Sequence, residues 1–263
     1  MRLPIFQVDA FSSLPFAGNP AAVCLLDETI PDALMQKIAI EMNLSETAFV
    51  LPEGEDHRLR WFTPVAEVDI CGHATLASAF VLWEQNILAK EREARFRTRS
   101  GILRAFRREM WIELDFPARP ASPIVAPDGL TEAIGVSPTF VAKFRDDYLL
   151  EVASEAAVQN LTPDFARLAL TDARAVMVTS RATRPGFDFI SRFFAPKMGV
   201  DEDPVTGAAH CVLAPHWGRI LGKTEMTAYQ ASARGGIVRV RLGDERVFIS
   251  GCAVLVSAGE LRI

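Results

Sequence analysis

Cys71-Gly72-His73-Ala74-Thr75 opens one apolar run, and Thr206-Gly207-Ala208-Ala209-His210 opens another. Outward from these two stretches the correspondence continues. Arg99-Ser100-Gly101-Ile102-Leu103-Arg104 returns as Arg234-Gly235-Gly236-Ile237-Val238-Arg239, and Arg60-Trp61-Phe62-Thr63-Pro64 returns as Arg192-Phe193-Phe194-Ala195-Pro196. Gly72 and Gly207 stand 135 residues apart, as do Gly101 and Gly236. Three short matches in one order at near-constant spacing are the mark of an internal repeat. The chain is therefore expected to form two similar lobes, residues 1–118 and 119–263, joined near the proline-rich stretch from Phe116 to Pro127. The last strand is left free to cross back to the first lobe.

Each lobe repeats one grammar. A strand opens it, Pro4 to Ala10 in the first lobe and roughly Tyr148 to Ala153 in the second. The segment Pro31–Met42 carries apolar residues at helical spacing, with its proline where a helix tolerates one. Strands are expected at 48–51 and 59–63, matched by 175–178 and 187–194. A glycine then starts a helix that is apolar nearly all round, Leu76–Trp83 and Cys211–Trp217, and such a helix must be buried on every face. Hairpins turning at Arg107-Arg108-Glu109 and Gly243-Asp244-Glu245 close the lobes. The expected fold is α+β: two pseudo-symmetric lobes, each a rolled, mostly antiparallel sheet around a central buried helix, with a cleft between them as the natural site.

Composition narrows the function. The chain has 263 residues, 49% of them hydrophobic and 23% charged, with a formal charge of −5, so disorder drops out. No basic stripe suits a nucleic acid or an anionic membrane, and no apolar run reaches the roughly 18–20 residues of a spanning helix. The amino terminus lacks an apolar signal core, and four scattered cysteines sit among apolar residues, which points to a reducing, cytoplasmic setting.

Two glycine-led helix starts offer unpaired N–H groups and partial positive charge, a natural seat for a carboxylate or phosphate. Around them stand His73, Asp203 and, in Asn43-Leu44-Ser45-Glu46-Thr47, Glu46. His73 could cap or pack, and Asp203 could serve as an N-cap. Glu46 is either an idle solvated loop residue or, facing an apolar cleft, a proton carrier with a raised pKa. No dinucleotide, P-loop, zincin or nucleophile-elbow motif is present. His210, Cys211 and His216 fit no usual zinc spacing, with Pro215 interrupting them, and neither Cys71 nor Cys211 has a separate basic partner to make it a nucleophile. No metal or cofactor is expected.

Val8-Asp9-Ala10-Phe11, Pro15 to Val23 with Gly18-Asn19-Pro20-Ala21, the Glu46 segment, Cys71-Gly72-His73-Ala74-Thr75 and Glu202-Asp203-Pro204-Val205-Thr206-Gly207 together resemble the phenazine-biosynthesis PhzF-like family, with motifs in order from about residue 5 to about residue 255. That family is similar in fold to diaminopimelate epimerase and is often dimeric.

The resemblance implies a cofactor-independent isomerase acting on a small carboxylate-bearing substrate. Glu46 would shuttle the proton, with His73 and Asp203 assisting and Asn19, Gly72, Ala74, Thr206, Gly207 and Ala208 lining the substrate. It also implies a cytoplasmic homodimer. Family members commonly carry serine where this chain has Ala208, and the lost hydroxyl bond is worth about 0.5–1.5 kcal/mol. In the epimerases two cysteines precede the paired glycines. Here those positions hold Cys71 and Thr206, which argues against two-thiol epimerisation and leaves a Cys/Thr-type racemase or dehydratase with Cys71 as base. A non-catalytic small-ligand-binding descendant is the third reading.

Overall fold

The computed structural model describes residues 1–263. The chain divides into two compact units, residues 1–116 with 250–263, and residues 117–249. The first contains β1 (Arg2–Ala10), β2 (Asn19–Leu25), α1 (Asp32–Met42), β3 (Glu46–Glu53), β4 (Asp56–Phe62), β5 (Glu67–Val68), α2 (Gly72–Glu84), β6 (Ala94–Thr98), β7 (Gly101–Arg108) and β8 (Trp111–Pro117). β1 and β2 are antiparallel, β2 and β3 parallel, β3 and β4 antiparallel. β4 then pairs antiparallel with β5 and parallel with β6, and β6–β7–β8 continue antiparallel. α2 packs against β1, β2, β3 and β7 and buries eleven of its thirteen residues, as an all-round apolar helix requires.

The second unit contains β9 (Ser122–Pro123), α3 (Leu130–Ile134), β10 (Phe140–Phe144), β11 (Asp147–Glu151), α4 (Glu155–Gln159), α5 (Phe165–Leu170), β12 (Ala175–Arg181), β13 (Phe189–Ala195), β14 (Val200–Asp203), α6 (Gly207–Leu221), β15 (Glu225–Gln230), β16 (Gly236–Leu242) and β17 (Arg246–Gly251). Its pairing order from β10 to β16 repeats that of β1 to β7 step for step: antiparallel, parallel, antiparallel, antiparallel, parallel, antiparallel. The counterpart of β1 is thus β10. The strand at Tyr148, expected to open the lobe, is the counterpart of β2. The final strand, β18 (Ala253–Arg262), lies antiparallel to β1 and belongs to the first unit.

The repeat extends to side chains. Arg60 makes a two-pronged bond to Glu67 at 2.7 Å on each arm and lies over Phe62. Arg192 grips Glu202 in the same way at 2.7 and 2.8 Å and lies over Phe194. Each pair ties a strand to the short strand that leads toward a glycine-led helix. Pro215 sits inside α6 without ending it, as the expected helix Cys211–Trp217 requires. A helical proline normally strands the carbonyl four residues earlier; here that carbonyl, on Cys211, accepts from the Arg119 N–H at 2.9 Å.

Glu155, at the start of α4, is 7% exposed and gathers the 182–184 turn. It accepts from the Thr183 N–H and hydroxyl, the Arg184 N–H and the Arg184 guanidinium. Burial opposes its charge, but these donors outweigh burial and hold its pKa down at about 2. A depressed carboxyl pKa gives stability that is fully present above the ordinary value near 4.5 and is lost as pH falls toward 2. Glu155→Gln is accordingly expected to cost about 1–2 kcal/mol at pH 7, less than a fully desolvated pair would. Urea melts at pH 7 and pH 3 check this: the gap between wild type and variant should shrink at the lower pH.

Candidate active site

The register of the parallel pair β2–β3 aligns Ala21 with Glu46, so the starts of both strands, Asn19 and Glu46, fall at one end of the sheet. Packed on these strands, α2 begins at that end with Cys71-Gly72-His73. The loop before β2 is held by Asp9, whose carboxylate accepts from the Phe16 N–H at 2.6 Å. It closes through Gly18 at φ +70°, where a Cβ would sit 2.2 Å from the Ala10 carbonyl oxygen, so only glycine fits.

Three side chains meet there. His73 Nε2 lies 3.0 Å from Glu46 Oε2. Its other nitrogen, Nδ1, faces Asn19 Nδ2 at 3.1 Å and Cys71 Sγ at 3.5 Å. The Glu46–His73 approach is close but off the hydrogen-bond axis, so both buried atoms keep bonding capacity for a ligand. Glu46 thus has an imidazole neighbour in place of the purely apolar surround expected. Burial, then the Glu46 carboxylate, push the Cys71 thiol up, which keeps it protonated. Burial pushes His73 down, but its negative neighbours outweigh burial and its pKa stands well above the ordinary value. The raising contributions come from Cys71 first and then from Glu46. Glu46, Cys71 and His73 offer donor atoms within 4.8 Å of one another. Carboxylate and sulfur, however, meet opposite nitrogens of one ring, a poor arrangement for a single metal ion.

The second unit carries the matching assembly. Thr206 is the N-cap residue of α6, and its hydroxyl donates to the Asp203 carboxylate. Gln230, fully buried at the end of β15, accepts from the Thr206 N–H at 2.9 Å and donates to the Asp203 carbonyl at 2.8 Å. His210 Nδ1 bonds the Thr206 carbonyl at 2.9 Å, as the Thr75 hydroxyl bonds the Cys71 carbonyl in α2. Burial lowers the His210 pKa to about 4 and raises the Cys211 thiol to about 12, which makes Cys211 inert as a nucleophile. His216 bonds Glu151 at 2.8 Å and stacks on Phe140. In neither α2 nor α6 does the N-cap side chain cap the helix.

Of the residues singled out in the sequence, Glu46, Cys71, Gly72 and His73 come together at one helix start, and Asp203, Thr206 and Gly207 at the other. Asn19 and Ala74 are fully buried, Asn19 against His73. Ala208 is partly exposed on the first turn of α6. Gln230 was missed: a lone glutamine at a strand end carries no sequence signal until the fold brings it back to Thr206.

The model of the phenazine biosynthesis-like proteins, PhzC-PhzF, matches residues 8–259. The chain belongs to the PhzC-PhzF family. A family member from Halalkalibacterium halodurans, named an uncharacterized isomerase, is 51% identical over the full length of both chains. The crystal structure of a PhzF-family protein from Enterococcus faecalis matches all of both chains with a TM-score of 0.95 at 42% identity. A probable proline racemase from Agrobacterium radiobacter shares the fold, at a TM-score of 0.65 and 10% identity, covering 99% of this chain and 93% of its own. The fold is thus α+β, and the probable proline racemase has the same fold. No helix is long and apolar enough to cross a membrane.

Proposed function

We propose that this protein is a cofactor-independent isomerase that moves a proton between carbons of a small, carboxylate-bearing substrate, cyclic or amino-acid-like. The observation that carries the reading is the Glu46–His73 contact at the uncapped start of α2: a half-buried carboxylate whose Oε2 is buried, 3.0 Å from a buried imidazole, each with unspent hydrogen-bonding capacity. In this reading Glu46 takes a proton from a substrate carbon, the C–H electron pair delocalises into the adjoining unsaturated system, and Glu46 returns the proton to a second carbon. The N–H groups at Gly72-His73 hold the substrate carboxylate, helped by the helix dipole. His73 orients the substrate and stabilises charge, and a part in substrate binding is inferred for Asp203 and the backbone at Gly207-Ala208 as well. The isomerase names of full-length relatives support the reaction class.

Two observations favour Glu46 over the Cys/Thr alternative. The Cys71 thiol is pushed up, away from its nucleophilic form, and the Thr206 hydroxyl is committed to Asp203. The reading needs no metal or nucleotide. It extends, through the family, to a cytoplasmic homodimer, which sedimentation analysis would check. The test is incubation with a panel of cyclic carboxylates and amino acids in deuterated water. Deuterium entering a substrate carbon supports an isomerase, whereas binding without exchange for every ligand would leave a ligand-binding protein.

A further inference from the structure

We propose that Asn19 is a positioning residue that decides which nitrogen of His73 keeps its proton when the ring is neutral, holding the Nε2–H tautomer toward Glu46. The inference rests on the reading of Glu46 as the proton carrier, and it adds a role for a residue that does not itself reach solvent.

Asn19 is fully buried, at the first position of β2, and the Gly18 turn and its pairing with Ala10 leave it little freedom. Three elements face the His73 ring: Glu46 from β3, Asn19 from β2, and Cys71 from the start of its own helix. An amide N–H can only donate, so Asn19 Nδ2, 3.1 Å from Nδ1, bonds that atom only when the ring is neutral and Nδ1 keeps its lone pair. A neutral imidazole has one accepting nitrogen, and the other then carries the proton. That other nitrogen is Nε2, on the Glu46 side. Cys71 presents a second donor to the same lone pair, but S–H is the weaker donor and lies further off at 3.5 Å. Asn19 therefore has two effects. It keeps a donor facing Glu46 in both charge states of His73, since the imidazolium loses its proton from Nδ1. It also denies Cys71 the base it would need to become a thiolate, so a Cys–His–Glu constellation does not operate as a thiol enzyme.

The test needs no substrate. Full-length protein labelled with ¹⁵N-histidine is titrated from neutral to alkaline pH, and His73 is assigned against a His73→Gln variant. As His73 loses its proton, its Nδ1 resonance should move to the unprotonated position while Nε2 stays protonated. A neutral ring that keeps the proton on Nδ1 overturns the proposal. In Asn19→Asp the carboxylate accepts from Nδ1–H, so the ring should remain imidazolium to higher pH than in wild type. An unshifted midpoint would also overturn the proposal, and if this variant fails to fold, the wild-type tautomer still decides. Because the readout is spectroscopic, failure of the exchange assay and failure of the tautomer assignment are separate results.

Discussion

Glu46→Gln is expected to lower deuterium exchange into a substrate carbon by about 10²–10⁴-fold, the usual contribution of a positioned acid or base. Glutamine keeps the volume and polarity of the side chain beside His73 but cannot carry the proton. The fold should survive, because Glu46 is the first residue of β3 and its backbone, not its side chain, sets the register with Ala21. Cys71→Ser is expected to leave the rate nearly unchanged, since the thiol is held protonated on the far side of the His73 ring. The comparison is made once a substrate emerges from the panel. A Gln variant that still exchanges, beside a Ser variant that has stopped, would transfer the chemistry to Cys71 and revive the Cys/Thr mechanism.

Arg192→Met is expected to cost about 2–4 kcal/mol, somewhat below the breaking of a fully buried ion pair because Glu202 retains some solvent. Arg192 does more than pair with Glu202. Its Nη1 also donates to the Leu161 carbonyl at 2.8 Å and approaches those of Val158 and Gln159 at 3.4 Å, so it fastens the connection between α4 and α5 to β13. Methionine would fill the space over Phe194 but leave those acceptors and the Glu202 carboxylate short of a donor. Thermal unfolding should show a Tm lower by roughly 4–16 °C. The symmetry-related Arg60→Met is expected to cost less, since beyond Glu67 its further partner is the exposed Asp32. Equal losses in the two variants would show that the carbonyl contacts of Arg192 contribute nothing.

What could be read from residues alone was whatever is local or periodic. The glycine-led helices at Gly72 and Gly207 and the strands near Ala48 and Ala175 follow from apolar patterning, and the 135-residue offset ties them together. The strand beginning at Asn19 escaped because Gly18-Asn19-Pro20 reads as a turn, and the turn is in fact the last step before the strand. That omission shifted the correspondence in the second half, so Tyr148 was matched to β1 and not to β2. Apolar patterning carried the expected helix across Pro215, but the N–H that satisfies its stranded carbonyl comes from Arg119, far away in sequence. Within the candidate site, Glu46 and His73 stood out as titratable residues in motifs, but their contact depends on the parallel pairing of β2 with β3 and the packing of α2 across both. Asn19 and Gln230 act only through such long-range neighbours, and no spacing rule reaches them.

The pairing of β18 with β1 has a consequence for how the chain comes into being. A ribosome delivers residues 117–249 before residues 253–262, so every strand of the second unit has left the tunnel while the first unit still lacks the neighbour of its opening strand. The half made first is therefore the half finished last. Until β18 arrives, β1 waits with an open edge, the kind of surface that recruits stray strands and chaperones. Synthesis order and completion order run in opposite directions along this molecule.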